Sequence, residues 1–367
     1  MKSNLRMIVA GGGTGGHFFP AQAICKSLYN KGINIKYMGS KFGIEANFSN
    51  INNDIETILL NIRGIQRHLN IDSFVKNSLF PFRFIQSYFK SLKIMDEFNP
   101  HVVIGTGGYS SGLPLIAAMH KGIKTVIQEQ NSYPGITTRK LGSKVDKVCI
   151  SFKHAKKYFK KDNIILTGNP IRKDIHLVDK NQAKQSYHLN PNKPVIGILG
   201  GSQGSTPFNL HFQKHLEKYT NIDIQLLWQT GGKDFINLEM LNKKKGIHIL
   251  PFINNMNTFY SAADIIISRS GALALSEMAL LGKAMILIPL PHSAGNHQAI
   301  NAKEFTQMGS SILINQSQLK SNYLEQSIFN LIQNPKKIKL MEIQSKKMCF
   351  PNSTEKITEI ILEVAKS

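Results

Sequence analysis

Cysteine is scarce in this chain of 367 residues, and the three that occur are scattered at Cys25, Cys149 and Cys349. An odd number of cysteines without a C-x-x-C pair suggests neither a disulfide framework nor a zinc site. Disulfides are also the usual mark of an oxidising compartment. The cysteine pattern therefore predicts a protein of a reducing compartment.

Long apolar runs are also missing. The first run ends at a cluster of glycines directly after Ala10, which is too early for the apolar core of a secretory signal. The most apolar later stretch, residues 272–291, is interrupted by Glu277, Gly282 and Lys283 and is therefore too polar to span a membrane. The sequence predicts a cytosolic protein whose contact with a membrane is peripheral.

Acidic residues are few: 23 Asp and Glu stand against 45 Lys and Arg, which gives a formal net charge of +22. Such a charge favours an anionic partner, namely nucleic acid, acidic lipid or a phosphorylated substrate. The abundance of Lys, Asn and Ile offers another explanation, because AT-rich codons would raise the charge without selection for a partner. No nucleic-acid-binding module is recognisable, so nucleic acid is not a predicted partner.

Apolar segments alternate with helical patterns along the whole chain. Segments such as "HVVIGTGG" and "ADIIISRSG" are apolar on both faces, as in parallel sheets that are covered by helices. The chain is also longer than one hydrophobic core usually supports. We predict two Rossmann-like α/β domains, residues 1–168 and 169–340, and a C-terminal helical segment, residues 341–367, that packs back on the N-terminal domain.

Glycines gather where predicted strands end, in the segments 11–17, 105–114, 200–205 and 268–277. A glycine turn between a strand and a helix places free N–H groups and the positive end of the helix dipole at one point, which suits a phosphate. The carboxyl ends of strands are also where open α/β sheets bind ligands. These turns therefore predict phosphate-containing ligands in both domains.

The first turn matches the G-x-G-x-x-G spacing of a dinucleotide site, but the acidic residue that would hold the ribose is missing. The second strand ends at Gly39 and Ser40, and Glu45 follows too late in the sequence. No glycine turn carries the Lys and Ser or Thr of a P-loop. These absences weaken a redox or nucleotide-hydrolysing function and favour a nucleotide-sugar donor.

Several ordered motifs carry a specific resemblance. They are "GGGTGGHFFPA", "GTGGYSSGLP", "QEQN", "GNPIR", "GGSQGS", "FINNM", "SRSGALALSEMALLGKAMILIP" and "NHQAINA". In this order and over nearly the whole chain, the sequence resembles the MurG family of peptidoglycan N-acetylglucosaminyltransferases, which belongs to glycosyltransferase family 28.

The resemblance implies a GT-B fold, with two Rossmann-like domains whose parallel sheets face each other across a cleft. It also implies a hexosyltransferase that moves GlcNAc from UDP-GlcNAc, with inversion, to the C4 hydroxyl of MurNAc in undecaprenyl-diphospho-MurNAc-pentapeptide (lipid I). The product is lipid II, a precursor for peptidoglycan, the cell wall and hence cell shape and division. The alternative is another GT-B enzyme that uses a UDP-sugar, either a lipid glycosyltransferase or a UDP-GlcNAc epimerase.

Departure of UDP requires stabilisation of a diphosphate, which some glycosyltransferases achieve with a metal bound to Asp-x-Asp. This sequence contains no Asp-x-Asp, so we expect a metal-independent reaction without a cofactor, in which protein donors stabilise the diphosphate. The resemblance assigns UDP-GlcNAc to Thr14, Gly15, Gly16, Asn131, Arg172, Ser202, Ile253, Ala272, Leu273, Ala274, Leu275, Ser276, Glu277 and Gln298. Gly13, Thr14, Gly107, Tyr109 and Ser110 are expected to bind the acceptor diphosphate.

Within the donor site, the resemblance implies that Glu277 accepts the ribose hydroxyls and that the backbone of Ile253 binds uracil. The acceptor hydroxyl must lose a proton during attack, so a base is required. His17 follows the first glycine turn, where the helix dipole favours a neutral imidazole. Glu129 is the rival base. The family usually has histidine where this chain has Gln128, which removes one titratable group.

Residues 73–95, "SFVKNSLFPFRFIQSYFKSLKIM", combine aromatic and basic side chains at helical spacing. Such a helix suits an anionic membrane interface, and the family reaches its lipid-linked acceptor through this region. We expect membrane contact at Phe82, Ile85, Tyr88 and Phe89. The expected location is the cytoplasmic face of the bacterial inner membrane, with other cell-wall synthesis or division proteins as further partners.

Overall fold

The structure, a computed structural model, describes residues 4–47, 54–64, 77–159 and 162–367. Contacts divide the chain into two compact units. One unit comprises Met1–Arg172 with Phe350–Ser367, and the other comprises Lys173–Cys349. The predicted boundaries were 168 and 340.

The described residues form strands and helices in alternation. The strands are β1 (Arg6–Ala10), β2 (Asn34–Ser40), β3 (Glu56–Leu60), β4 (Val102–Gly105), β5 (Lys124–Glu129), β6 (Lys147–Ile150), β7 (Ile164–Leu166), β8 (Val195–Leu199), β9 (Gln225–Gln229), β10 (Ile247–Leu250), β11 (Ile265–Ser268), β12 (Ala284–Leu287) and β13 (Ser311–Leu313).

The α-helices are α1 (Gly15–Tyr29), α2 (Phe80–Phe98), α3 (Tyr109–His120), α4 (Ile136–Leu141), α5 (Lys180–Ser186), α6 (Thr206–Lys214), α7 (Leu216–Thr220), α8 (Gly232–Leu238), α9 (Met256–Ala262), α10 (Ala272–Leu280), α11 (His297–Gln307), α12 (Tyr323–Ile332), α13 (Pro335–Lys347) and α14 (Ser353–Lys366). Short 3-10 helices span Ile44–Asn47, Lys153–Tyr158, Glu239–Lys243, Ala294–Asn296 and Gln316–Lys320.

The first unit is built on a parallel sheet of seven described strands in the order β3-β2-β1-β4-β5-β6-β7. Alternate residues of each central strand enter different apolar layers. Ile8 of β1 belongs to the layer beneath α2 and α3, whereas Val9 belongs to the layer beneath α1 and α14. Both faces are covered, which explains why the strands are almost entirely apolar.

The C-terminal residues return to the first unit through α14. Its residues Ile357 and Ile361 are fully buried in the layer that also contains Val9. The preceding helix, α13, belongs to the second unit. Pro351 lies between the two helices, and proline cannot continue a helix ladder. The predicted segment 341–367 thus includes the end of α13 as well as α14.

The second unit contains a parallel sheet of six described strands in the order β10-β9-β8-β11-β12-β13. Its core surrounds the fully buried Trp228 of β9, whose indole N–H donates to Asn209 Oδ1 at 2.9 Å. The predicted parallel α/β architecture is therefore confirmed in both units. Among the described residues, no helix has both the length and the apolar character that crossing a bilayer requires.

Candidate active site

Strand order reverses once within each sheet, and the reversal locates a candidate site in each unit. In the first unit, the chain runs from β1 to β2 and β3 on one side of β1, and it then returns to place β4 on the other side. The strand order therefore reverses between β1 and β4. In the second unit, the strand order reverses between β8 and β11. Ligands in open α/β sheets bind at such switch points, beyond the carboxyl ends of the strands. All four predicted glycine turns follow these four strands.

In the first unit, the turn after β4 packs directly against the helix that follows β1. Gly107 has φ +100°, and a Cβ atom there would lie 2.6 Å from His17 Nδ1. A Cβ atom on Gly108 would lie 2.5 Å from the carbonyl oxygen of Gly12. Only glycine fits these positions, so the two turns approach closely and form one continuous surface.

The His17 ring is held by two acceptors. Its Nδ1 atom lies 3.0 Å from the carbonyl oxygen of Thr106 and 2.9 Å from Gln130 Oε1. A carbonyl oxygen can only accept, so Nδ1 carries the proton and donates it. The neutral ring then has its lone pair on Nε2. This tautomer is the one required for Nε2 to take a proton from a substrate.

A chain of buried amides supports that arrangement. Gln130 Nε2 donates to Thr106 O at 2.7 Å and also to Gln128 Oε1. Gln128 is fully buried, and its Nε2 donates to Ser151 Oγ at 3.1 Å and Asn169 Oδ1 at 3.3 Å. Gln128, which stands where the family usually has histidine, is therefore a neutral residue that connects Gln130 to Ser151 and Asn169 through hydrogen bonds.

Glu129, the rival base, is buried and its carboxylate accepts from the backbone of the next loop. Oε1 accepts from the N–H of Asn131 at 3.0 Å, and Oε2 accepts from the N–H of Gly135 at 3.1 Å. Asn131 Nδ2 lies 3.5 Å from the same Oε1. Glu129 thus fixes the loop before α4.

Glu45 is a residue of this site that the sequence analysis missed. Its carboxylate accepts from the N–H of Gly13 at 2.9 and 2.8 Å and from the N–H of Ser40 at 2.7 Å. A Cβ atom on Gly12 or Gly43 would collide with the carboxylate. Glu45 comes late in the sequence, but the 3-10 helix after β2 returns its side chain to the first glycine turn.

The residues predicted to bind the acceptor diphosphate lie together beyond β1 and β4, but they differ in accessibility. Thr14 and Tyr109 are exposed, whereas the Ser110 hydroxyl is buried. The N–H of Gly13 already donates to Glu45. Gly107 is buried beneath His17.

Of the predicted donor ligands in the first unit, Gly15 and Gly16 form the first turn of α1, next to Thr14. Asn131 lies in the loop after β5 and is half-buried. Arg172 is exposed and is the last residue of the unit before the chain enters the second.

The second unit brings most of the other predicted donor ligands to its switch point. Residues 272–277 form the first part of α10, which begins after the cap residue Gly271. Glu277 is half-buried, and its Oε2 accepts from the buried Tyr260 hydroxyl at 2.9 Å. This hydrogen bond orients the carboxylate.

Three further predicted ligands lie in loops or at helix starts that follow other strands of the same sheet. Ser202 is exposed in the glycine turn between β8 and α6, and the buried Ile253 follows β10. Gln298 is the second residue of α11. Its Oε1 accepts from the N–H of Leu290 at 3.0 Å, and its carbonyl accepts from the Ser270 hydroxyl at 2.8 Å. The structure therefore groups Ser202, Gln298 and α10 at neighbouring strand ends.

Arg269 connects these loops and was also missed by the sequence analysis. Its guanidinium donates to Ser205 Oγ at 2.8 Å, to Gln316 Oε1 at 2.6 Å and to the carbonyl oxygens of residues 288 and 289 at 3.1 Å. It also lies over the ring of Phe208, 4.3 Å from the centroid. Burial lowers its pKa to about 10, so it remains a cation near neutral pH.

The predicted membrane segment lies partly outside the described residues, which exclude 73–76. Helix α2 presents Phe82, Ile85 and Phe89 to solvent, with 69%, 55% and 62% of each residue exposed. Their spacing places them on one face of the helix. Tyr88 is different: it is half-buried, and its hydroxyl lies 2.6 Å from Nδ1 of His120.

Comparison with known proteins agrees with this two-part arrangement. Residues 7–150 match the glycosyltransferase family 28 N-terminal domain, and residues 195–357 match the glycosyltransferase family 28 C-terminal domain. The chain belongs to glycosyltransferase family 28.

Curated members of family 28 match over the whole chain. A protein of Flavobacterium psychrophilum is 39% identical, with 99% of this chain and 98% of the relative covered. One of Christiangramia forsetii is 36% identical, with 98% and 97% covered. Both carry the name UDP-N-acetylglucosamine--N-acetylmuramyl-(pentapeptide) pyrophosphoryl-undecaprenol N-acetylglucosamine transferase.

The crystal structure of Acinetobacter baumannii MurG, another similar protein, has a TM-score of 0.77 and 25% identity, with 98% of this chain and 99% of that chain covered. The predicted GT-B fold class and the predicted resemblance are therefore confirmed. The roles of individual site residues stay predictions.

We predict that Glu45→Gln destabilises the first unit by about 1.5–3 kcal/mol, because an amide offers one acceptor oxygen where the carboxylate offers two to the N–H groups of Gly13 and Ser40. Chemical denaturation of the full chain measures the change. Glu56→Gln is the control, since Glu56 forms an exposed ion pair with Lys36 at 2.8 Å and should change stability by about 0.5 kcal/mol or less. Equal losses in the two variants would contradict the assignment.

Proposed function

We propose that this chain transfers GlcNAc from UDP-GlcNAc to the C4 hydroxyl of MurNAc in lipid I, with inversion, and so forms lipid II for peptidoglycan synthesis. The observation that carries the proposal is the match to whole-length relatives named for this transfer, at up to 39% identity. The first unit would bind the acceptor, and the second would bind the donor. Neither alternative GT-B activity is favoured by a feature of the described site.

In this reaction the acceptor C4 oxygen attacks C1 of GlcNAc from the face opposite UDP. The new C–O bond forms as the bond between C1 and the diphosphate oxygen breaks, and UDP leaves with the electron pair. His17 Nε2 is proposed to take the proton of the C4 hydroxyl. The hydrogen bond from Nδ1 to Thr106 O supports this role, because it leaves the lone pair on Nε2.

The environment of Glu129 gives it a different role. Its two oxygens accept backbone N–H groups, so a substrate hydroxyl would have to displace a bond that holds the loop before α4. We therefore favour His17 as the base and Glu129 as a positioning residue for that loop. Gln130 would position His17 through the hydrogen bond to Nδ1.

On the donor side, two helices in the second unit begin at the switch point. The N-termini of α6 and α10 follow the turns at 200–205 and 268–271, and such N-termini stabilise phosphate oxygens. Arg269, which lies in the turn at 268–271, donates a hydrogen bond to Ser205 in the turn at 200–205. Glu277 would accept the ribose hydroxyls and Ile253 would contact uracil. These protein donors, together with Arg172, support a metal-independent departure of UDP.

Membrane contact is proposed for the exposed face formed by Phe82, Ile85 and Phe89, because these side chains can enter the interface of a bilayer. Lys90 and Lys93 are exposed on the same helix and would attract anionic headgroups. Tyr88 would stay against His120. This contact would place the enzyme at the cytoplasmic face of the inner membrane, where lipid I is reached.

Purified protein supplied with labelled UDP-GlcNAc and a lipid I analogue should form the disaccharide product at an equal rate with and without EDTA. Product is measured by chromatography and mass spectrometry. Formation of an epimerised sugar, free or still bound to UDP, without acceptor would instead indicate an epimerase. Loss of transfer in EDTA while the protein stays folded by circular dichroism, restored by a divalent ion, would contradict metal independence.

His17→Ala should lower kcat by about 10²–10⁴-fold and remove the loss of activity at acidic pH, because protonation of the base would no longer limit the rate. The measurement is the pH dependence of kcat. His120→Ala is the matched control and should change kcat little. If Glu129→Gln removes the acidic limb while His17→Ala keeps it, Glu129 is the base.

The triple variant of Phe82, Ile85 and Phe89 to Ser should bind phosphatidylglycerol vesicles with an affinity that is lower by about tenfold or more, because apolar area is lost from the interface. Sedimentation with vesicles measures the change. A triple variant of Ile236, Met240 and Leu340 to Ser, which are exposed in the second unit, is the control. Similar losses in both variants would show that α2 has no special role.

A further inference from the structure

A cluster of potential metal ligands lies in the second unit, outside the residues proposed for transfer. His211 belongs to α6, His215 follows its last residue, and Glu325 lies in the first turn of α12. His211 Nε2 and His215 Nδ1 each lie 3.7 Å from Glu325 Oε1. The three ligand atoms all lie within 4.8 Å of one another. Histidines four residues apart share one face of a helix, which explains this convergence.

A backbone carbonyl orients the His211 ring from the side that faces away from Glu325. Its Nδ1 lies 3.0 Å from the carbonyl oxygen of Leu319, which can only accept, so Nδ1 carries the proton. The lone pair therefore lies on Nε2 and faces the carboxylate. A backbone carbonyl behind a ligating histidine is a common arrangement in metal sites, where it fixes the tautomer.

The carboxylate of Glu325 is buried without a hydrogen-bond donor from the part of the chain that the structure describes. Only 2% of the residue is exposed, and neither oxygen has a hydrogen-bond partner among the described residues. His211 Nε2 is likewise without one. A buried carboxylate that lacks hydrogen bonds and faces a lone pair is strongly unfavourable unless a positive charge lies between the groups.

We propose that His211, His215 and Glu325 bind a divalent transition-metal ion, with Zn²⁺ as the ion that best suits two imidazoles and one carboxylate. Tetrahedral coordination at ordinary bond lengths separates ligand atoms by about 3.4 Å. The two distances of 3.7 Å to Glu325 Oε1 need a contraction of a few tenths of an ångström, and the two histidine nitrogens, which lie within 4.8 Å of each other, would move closer together on metal binding. Water would complete the coordination on the side of His215, whose side chain is 20% exposed.

Lys218 offers a competing explanation. Its Nζ lies 3.6 Å from Glu325 Oε1 and donates to Asn322 Oδ1 at 2.9 Å. An ammonium at this distance adds charge but makes no hydrogen bond to the carboxylate, and 42% of its side chain is exposed. It leaves the facing lone pair of His211 unpartnered, whereas a metal ion would satisfy both histidines and the carboxylate.

A bound ion would hold the end of α6 to α12 and, through Leu319, to the 3-10 helix Gln316–Lys320. That short helix also provides Gln316, which accepts from Arg269. Helix α6 begins at the glycine turn proposed for the donor diphosphate. The ion would thus stabilise the donor-binding unit without contact with the reacting atoms, and the proposal does not depend on which sugar is transferred.

The test uses the full chain after chelation and dialysis. Zn²⁺ should bind at one site per chain by calorimetry and should raise Tm by about 5 °C at a concentration 100 times Kd. Co²⁺ should give the visible absorption bands of a tetrahedral site with nitrogen and oxygen ligands. Absence of both the Tm shift and the Co²⁺ bands in the unmodified chain would overturn the proposal.

Variants separate this site from other histidines and from the ion pair. His215→Asn and Glu325→Gln should weaken Zn²⁺ binding by about 100-fold or more, whereas the exposed His188→Asn should leave it unchanged. His188 has φ 55°, which asparagine tolerates. Lys218→Met should keep or tighten Zn²⁺ binding because a competing cation is removed. Unchanged Zn²⁺ binding in the His215 and Glu325 variants would also overturn the proposal.

Discussion

The reversal of strand order at one point in each sheet is the constraint on which the candidate site depends. Between β1 and β4, and again between β8 and β11, the following helices leave toward opposite faces, and no crossover formed by the described residues covers the strand ends. Backbone N–H groups therefore remain available there. Side chains larger than hydrogen would fill this space, so glycine is required where the turns approach one another.

In the first unit, a side chain of the protein itself accepts hydrogen bonds from some of these backbone N–H groups. The Glu45 carboxylate accepts from the N–H groups of Gly13 and Ser40. A protein carboxylate therefore occupies the position that a ligand would take in a dinucleotide-binding turn. This contact shapes the turn from one side. From the other side, the carbonyl of Thr106 and the amide of Gln130 hold His17 in the tautomer that suits a base. The result is a preorganised imidazole at the edge of a rigid turn.

The second unit is organised differently, around buried cationic and imidazole groups. Arg269 joins two turns through hydrogen bonds to Ser205 and Gln316, and it remains charged despite burial. The cluster of His211, His215 and Glu325 lies at the opposite end of α6 from Ser205. Arg269 fixes the start of α6, whose N-terminus is the proposed phosphate ligand, and the proposed ion would fix its end. Neither needs to touch the sugar.

The sequence by itself determined the parallel α/β class, the four glycine turns and the family, because apolar periodicity and glycine spacing are local patterns that survive without coordinates. Only the tertiary structure decided what Glu45, Gln130 and Arg269 contact, since their partners are distant in sequence. It also showed that Tyr88 lies against His120 while Phe82 faces solvent. The histidines of "HFQKH" have a readable spacing, but Glu325 joins them only when α6 packs beside α12.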